Sequence, residues 1–323
     1  MKPAKPVVIL LGPTAVGKTE LSIELARAIG AEIISVDSRS LYRGMDIGTA
    51  KPTAAQMRQV RHHLVDVAEP SERWSLSRYL EAVRKAIEEI HAQGKVALLV
   101  GGTGQYLAAI IEGWEPPPKA EDTAYRRSLR ELAEVEGHDV LHEMLEKIDP
   151  VAAGRIDARN IRRVIRALEI HKVTGIAPSE QRKRIPPDYS FLILGLRRER
   201  AQLYERIDER IQAMLKSGWV EEIAWLLEKG VGLDSASFSA IGYRQIAKYL
   251  QGEYELQDAV EETQRLSRQF VRRQDNWFRR FEPDVHWFDA HDDPQEQILN
   301  LVSRWLEGTI DKQARRSEND HVS

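Results

Sequence analysis

The stretch Gly12, Pro13, Thr14, Ala15, Val16, Gly17, Lys18, Thr19 constrains this chain more than any other. It fits the spacing G-x-x-x-x-G-K-[ST]. It stands between an apolar run, VVILL at 7–11, and an amphipathic stretch with Leu21, Leu25, Ala28 and Ile29 at helical spacing. That order predicts strand, loop, helix. The glycines let backbone N–H groups turn inward around an anion, Lys18 supplies a point charge, and the start of the following helix favours negative charge. The Thr19 hydroxyl is suited to holding Mg2+ on phosphates. Gly12 to Thr19 are therefore the expected diphosphate-binding residues, and the loop leaves open which molecule carries the phosphates.

The rest of the chain alternates in the same style. AEIISVD (31–37) reads as a second buried strand ending at Asp37. Residues 75–94 read as a helix with Leu80, Val83, Ile87 and Ile90 on one face, and KVALLVGG (95–102) as a third strand. Strands alternating with helices imply a parallel α/β sheet with ligand chemistry at the strand C-termini. At Trp114 the pattern breaks into EPPPKA, and residues 121–184 read as wholly helical. SFLILGL (190–196) then returns as one more buried strand. A strand reappearing after some 70 helical residues predicts a helical domain, 116–184, inserted into a core made of 1–115 and 185–313. The remainder of that core reads as helical, and the polar residues 314–323 as a frayed tail.

Composition narrows the functional classes. The longest apolar runs hold four or five residues, far short of the roughly 20 needed to span a bilayer. MKPAKP leads straight into a strand, so no secretory leader is expected. With no cysteine, thiol catalysis, disulfides and Cys-ligated zinc are excluded, and a reducing cytoplasm is compatible. Net charge is −3, yet Arg155–Arg184 holds nine Lys/Arg against three acids, and Arg265–Arg280 six Arg against one Asp. Two basic segments in a near-neutral chain suit an anionic polymer.

Asp37 is the one strand-terminal carboxylate beside the loop. VALLVGG ends in glycine, so the metal-holding strand of a typical ATPase is missing. Asp37 is expected to point across the sheet edge toward the loop from a neighbouring strand about 5 Å away, where its carboxylate could take a proton from an attacking hydroxyl or amine. GGTGQY (101–106) is a tight turn at another strand end, with Thr103 its one hydrogen-bonding candidate for substrate. His62 and His63 are adjacent and diverge, with no third ligand at suitable spacing, so a metal role is not expected there.

Taken in order, GPTAVGKT, DSRSLYRGMDIGTAKP (37–52), HHLVD (62–66), GGTGQY, NIRRVIRALEI (160–170), LYERIDERI (203–211), AIGYRQ (240–245) and RRQDNWFRRF (272–281) resemble the tRNA dimethylallyltransferases. The resemblance runs from about residue 7 to 282. It implies a P-loop NTPase-like parallel core with an inserted all-helical domain and a helical C-terminal region. Mg2+ as cofactor, a cytoplasmic location and a monomeric state are the accompanying expectations. The reaction would move a dimethylallyl group from its diphosphate to the exocyclic amine of the adenine just 3′ of a tRNA anticodon. Asp37 would be the base, with Ser38 beside it, Thr103 near the reacting centre, and Arg206 a further diphosphate contact, Arg210 being its neighbour on the same helix face. The family's tRNA-contacting segments carry over to Asp37, Ser38, Arg39 and Ser40; to Thr103 and Arg126; to Arg162, Arg163, Val164, Ile165 and Arg166; and to Ser239, Ala240, Ile241, Gly242, Tyr243 and Arg244. Two positions depart from the family: Ser40 stands where Gln is usual, and DARN (157–160) where an HPND-like turn is common. A transferase acting on free adenylate and a P-loop kinase using Asp37 on a hydroxyl are the alternatives; the two basic segments favour RNA.

Overall fold

A computed structural model describes residues 2–116, 122–181 and 183–309. In chain order the elements are β1 (Pro6–Leu11), α1 (Lys18–Ile29), β2 (Ala31–Val36), α2 (Ala54–Gln59), β3 (His62–His63), α3 (Leu76–Ala92), β4 (Val96–Gly101) and α4 (Gly104–Ile111). There follow β5 (Trp114–Glu115), α5 (Thr123–Glu136), α6 (Asp139–Ile148), α7 (Pro150–Ala153), α8 (Ile161–Thr174) and β6 (Lys183–Arg184). The chain continues through β7 (Ser190–Arg197), α9 (Arg200–Lys216), α10 (Trp219–Glu228), α11 (Tyr243–Leu250), α12 (Leu256–Phe278), β8 (Val285–Asp289) and α13 (Gln295–Glu307).

Six strands form one parallel sheet in the order β3-β2-β4-β1-β7-β8. Central β1 is covered on both faces, and Val7 to Leu11 are all fully buried. That is why its sequence is a continuous apolar run and not an alternation. Helix α3 starts where the Ser75 hydroxyl accepts the Arg78 N–H, and it buries Tyr79, Leu80, Val83, Ile87 and Ile90. The core of this unit extends through Leu203, Ile207, Ile211 and Met214 of α9 to Trp219, Ile223, Phe238 and Tyr243.

Two expectations need correcting. The sequence after residue 196 is not wholly helical, because β8 adds a parallel edge strand beside β7. Of its VHWFD only Val285 is buried, so an edge position hides it from an apolar-run search. Nor is 121–184 without a strand: Lys183–Arg184 pairs antiparallel with Trp114–Glu115.

The chain divides into two compact units, 1–108 with 188–323, and 109–187. The expected divisions after 115 and after 184 fall inside the second unit, because the β5–β6 ribbon and the Ile185 N–H donating to the Gly113 carbonyl at 2.8 Å tie 113–115 to 183–185. In the helical unit, Leu129, Leu141, Leu145, Val164 and Leu168 form a separate core. Asp122, Asp149 and Asn160 cap the N-termini of α5, α7 and α8, so the departing DARN turn supplies a cap through Asn160. Residues 310–323, including the expected tail, lie outside those described. Among the described residues no helix is long and apolar enough to cross a membrane.

Candidate active site

The loop between β1 and α1 is shaped by close backbone approach. A Cβ on Gly12 would sit 2.8 Å from the Leu196 carbonyl of β7, and Gly17, at φ 111°, caps α1 without a side chain in the way. Lys18 folds back and donates to the carbonyls of Gly12 (2.9 Å) and Pro13 (2.7 Å). Burial pulls its ammonium down to about 8, Asp37 opposes that, and Arg210 adds to it. Val16 is buried in the core, so it contributes backbone and not a side chain to the loop's inner face. Thr19 lies in the first turn of α1.

Both arginines of the YERIDER segment reach the loop, at different places. Arg206 is exposed, and its Nε donates to the Ala15 carbonyl at 2.8 Å. Arg210 Nη2 donates to Thr14 Oγ1 at 2.7 Å, and its buried Nε has no partner among the described residues. Of the two, Arg210 lines the adjoining cavity. Burial lowers its pKa, with Asp37 acting in the opposite sense.

The strand order changes how Asp37 meets the loop. Because β4 lies between β2 and β1, the carboxylate is two strands away, about 10 Å, and not one. The intervening strand ends in glycines with almost no bulk: a Cβ on Gly101 would lie 2.2 Å from the Val36 carbonyl, and one on Gly102 2.9 Å from that of Gly12. Asp37 and Thr14 consequently line one cavity of about 390 Å³, with Thr103, Arg210, Ser239 and Trp277. Asp37 Oδ1 accepts the Arg39 N–H at 2.7 Å. Thr103 accepts the Ser38 N–H at 3.2 Å and donates its own N–H to Val36, locking the two strand ends together. Beneath them, Tyr79 and Tyr106 stack at 3.8 Å; burial pushes the Tyr106 phenol up to about 12, so it stays neutral.

The other expected contact residues divide by environment. Ser38, Arg39, Ala240 and Ile241 line the same cavity. Ser40 does not face it: buried, its hydroxyl lies 2.7 Å from that of Ser35. Tyr243 is fully buried and donates to Glu222 at 2.7 Å, and a Cβ on Gly242 would strike the Trp219 ring at 2.1 Å. Arg244 is exposed and donates to the Leu233 carbonyl. In the helical unit, Arg162 and Arg163 are exposed, whereas Val164 and Ile165 belong to that unit's core. Arg126 and Arg166 both bind the buried carboxylate of Glu169, at 2.6 and 2.8 Å. The histidine pair is structural: His62 bonds the Val60 carbonyl, and His63 the Glu32 carboxylate. Among the described residues no three His, Cys, Asp or Glu cluster as a metal site.

Sequence reasoning missed the residues that brace the site. Glu222 accepts the N–H groups of Asp46, Ile47 and Gly48, fixing the loop whose Gly48 and Thr49 line the cavity. Gln274 bonds both Thr14 and Gly102. Its signal was a polar residue at helical spacing between Val271 and Phe278, on the face that also buries Thr263 and Ser267.

This geometry has relatives. The IPP transferase family model matches residues 40–281. A tRNA dimethylallyltransferase of Thermomicrobium roseum is 44% identical over 97% of this chain and 95% of its own, and one from Roseiflexus sp. 45% identical over 94% and 99%. Among solved structures, a Bacillus halodurans tRNA isopentenylpyrophosphate transferase is 40% identical, covering 95% of this chain and 98% of that one, with a TM-score of 0.69. A eukaryotic dimethylallyltransferase acting on tRNA reaches 0.84 at 28% identity, over 97% and 82%. With most of its length inside the family model and near-full-length relatives above 40% identity, the chain belongs to the IPP transferase family.

Proposed function

We propose that the protein transfers a dimethylallyl group from dimethylallyl diphosphate to the N6 amine of the adenosine 3′-adjacent to the anticodon of a tRNA, releasing diphosphate. The observation that carries this reading is the single cavity onto which Thr14 of the phosphate loop, Arg210 and Asp37 all open. It brings cations for a leaving diphosphate together with a carboxylate for an incoming amine.

In that reaction the bond from the donor's allylic carbon to the diphosphate oxygen breaks, and the oxygen keeps the electron pair. The loop amides, Lys18 and Arg210 stabilise the charge that develops there. The adenine nitrogen forms the new bond to carbon and releases a proton, which the Asp37 carboxylate accepts. The base must leave its stack to arrive there. Thr103 orders the Asp37–Ser38 turn through the Ser38 N–H. Arg206 holds the loop from outside through Ala15, and with Arg210 keeps the cradle positive. Thr19 would hold Mg2+ together with diphosphate oxygens and water. A lone hydroxyl suits a cation that takes its other ligands from substrate phosphates, and when bound the ion neutralises the leaving group. Arg162 and Arg163 on the exposed side of α8 supply contacts to RNA phosphates, while Ser38, Arg39, Ser239 and Ile241 at the cavity face the anticodon loop. The same reading makes the enzyme a cytoplasmic monomer.

With Mg2+ and dimethylallyl diphosphate, the protein should prenylate an unmodified tRNA with adenines 3′ of its anticodon and leave AMP untouched. Mass spectrometry of the products separates this from transfer to free nucleotide, and phosphorylation of a substrate by ATP without prenylation would favour a kinase. Asp37→Ala should lower kcat by about 10²–10⁴-fold with tRNA affinity little changed; a collapse of tRNA binding in a filter assay would make Asp37 a recognition residue. Lys18 is cationic below about pH 8 in the free protein, so binding of diphosphate should weaken as pH rises from 7.0 to 9.5. Lys18→Arg should flatten that profile in calorimetry. Replacing Arg162 and Arg163 together by Ala should weaken tRNA binding and reduce its log–log salt slope by about 1 to 2.

A further inference from the structure

Gln274 lies on the face of α12 that also buries Val260, Ser267, Val271 and Phe278, and is only 4% exposed. Its side-chain oxygen accepts the Thr14 backbone N–H at 3.0 Å, and its side-chain nitrogen donates to the Gly102 carbonyl at 2.9 Å. Only one orientation of the amide satisfies both partners, since one offers a proton and the other requires it. The absence of a side chain at residue 102 makes the contact possible: a Cβ there would lie 2.3 Å from the Gln274 nitrogen. The register of β1 against β4 ends with Leu11 opposite Gly101. Past that point, among the described residues, no backbone hydrogen bond joins the phosphate loop to the Gly102–Thr103 turn. One buried amide spans the gap.

We propose that Gln274 is a positioning residue for prenyl transfer, setting the separation between the diphosphate cradle and the Gly102–Thr103 turn, which ties down the Asp37–Ser38 turn. The inference rests on the function proposed above. The Thr14 N–H is committed to Gln274 and its hydroxyl to Arg210, so this loop residue is held from two sides. Removing the bridge deletes no direct contact to either substrate. It lets the two halves of the site drift, which costs turnover and not affinity, because transfer depends steeply on the alignment of the reacting atoms.

The test is steady-state transfer kinetics of Gln274→Met, which keeps most of the volume and loses both bonds, and of Gln274→Glu, which keeps an acceptor for Thr14 but turns a carboxylate toward the Gly102 carbonyl. Wild-type protein is run in parallel, and its failure to transfer would refute the function, not this inference. The expected result is a fall in kcat of at least tenfold in both variants. KM for donor and tRNA, and calorimetric binding of inorganic pyrophosphate, should stay within threefold. Hydrogen exchange at residues 12–17 should quicken. A kcat within twofold of wild type, a loss confined to KM, a loss that tracks a falling melting temperature, or failure of both variants to fold would each overturn the proposal.

Discussion

Three cations, Lys18, Arg206 and Arg210, converge on a loop of six residues, and the rest of the site depends on how they are kept there. Their mutual repulsion is offset by the loop's own oxygens: the carbonyls of Gly12, Pro13 and Ala15 and the hydroxyl of Thr14 each accept from one of them. Asp37 adds an opposing charge that acts on both Lys18 and Arg210. A site so arranged is positive before any ligand arrives, so an entering anion meets preorganised charge and little rearrangement is required.

Preorganisation of the loop needs rigid surroundings, and these come from helices remote in sequence. Glu222 of α10 collects three consecutive N–H groups from 46–48 and the Tyr243 hydroxyl, while Lys51, almost wholly buried, bonds Asp46 and Asp66. Gly48 and Gly242 are both pressed against Trp219, where any side chain would collide with the indole. A fixed aromatic ring thus sets the path of two cavity-lining segments. In the helical unit the same principle operates with charge. Glu169 is fully buried, and burial by itself would raise its pKa. Arg126, Arg166 and the Asp122 N–H reverse that and hold the carboxylate ionised. That pairing orders two of the arginines assigned to RNA and leaves Arg162 and Arg163 as the exposed pair.

Much of this was legible in the sequence because it depends on local order. The strand–loop–helix around Gly12–Thr19, the buried strands at 31–36, 96–101 and 190–197, the helical unit and the carboxylate at a strand end all follow from periodicity and from glycine spacing. The edge strand at 285–289 was not legible, since a single buried residue gives no period to detect. Neither was the short ribbon of 114–115 with 183–184, whose two strands are some 70 residues apart.

The sequence by itself determined the strand–loop–helix at Gly12–Thr19, the class of sheet and the carboxylate at the end of β2, because each is written in adjacent residues whose spacing reflects backbone geometry. Tertiary structure alone decided that β4 separates Asp37 from the loop, that Arg210 and not Arg206 opens onto the cavity, that Ser40 turns inward, and that Gln274 spans two backbones. These are matters of which strand lies beside which and which face of a helix is covered. They are fixed by packing between segments far apart in the chain, and residue spacing carries no record of that.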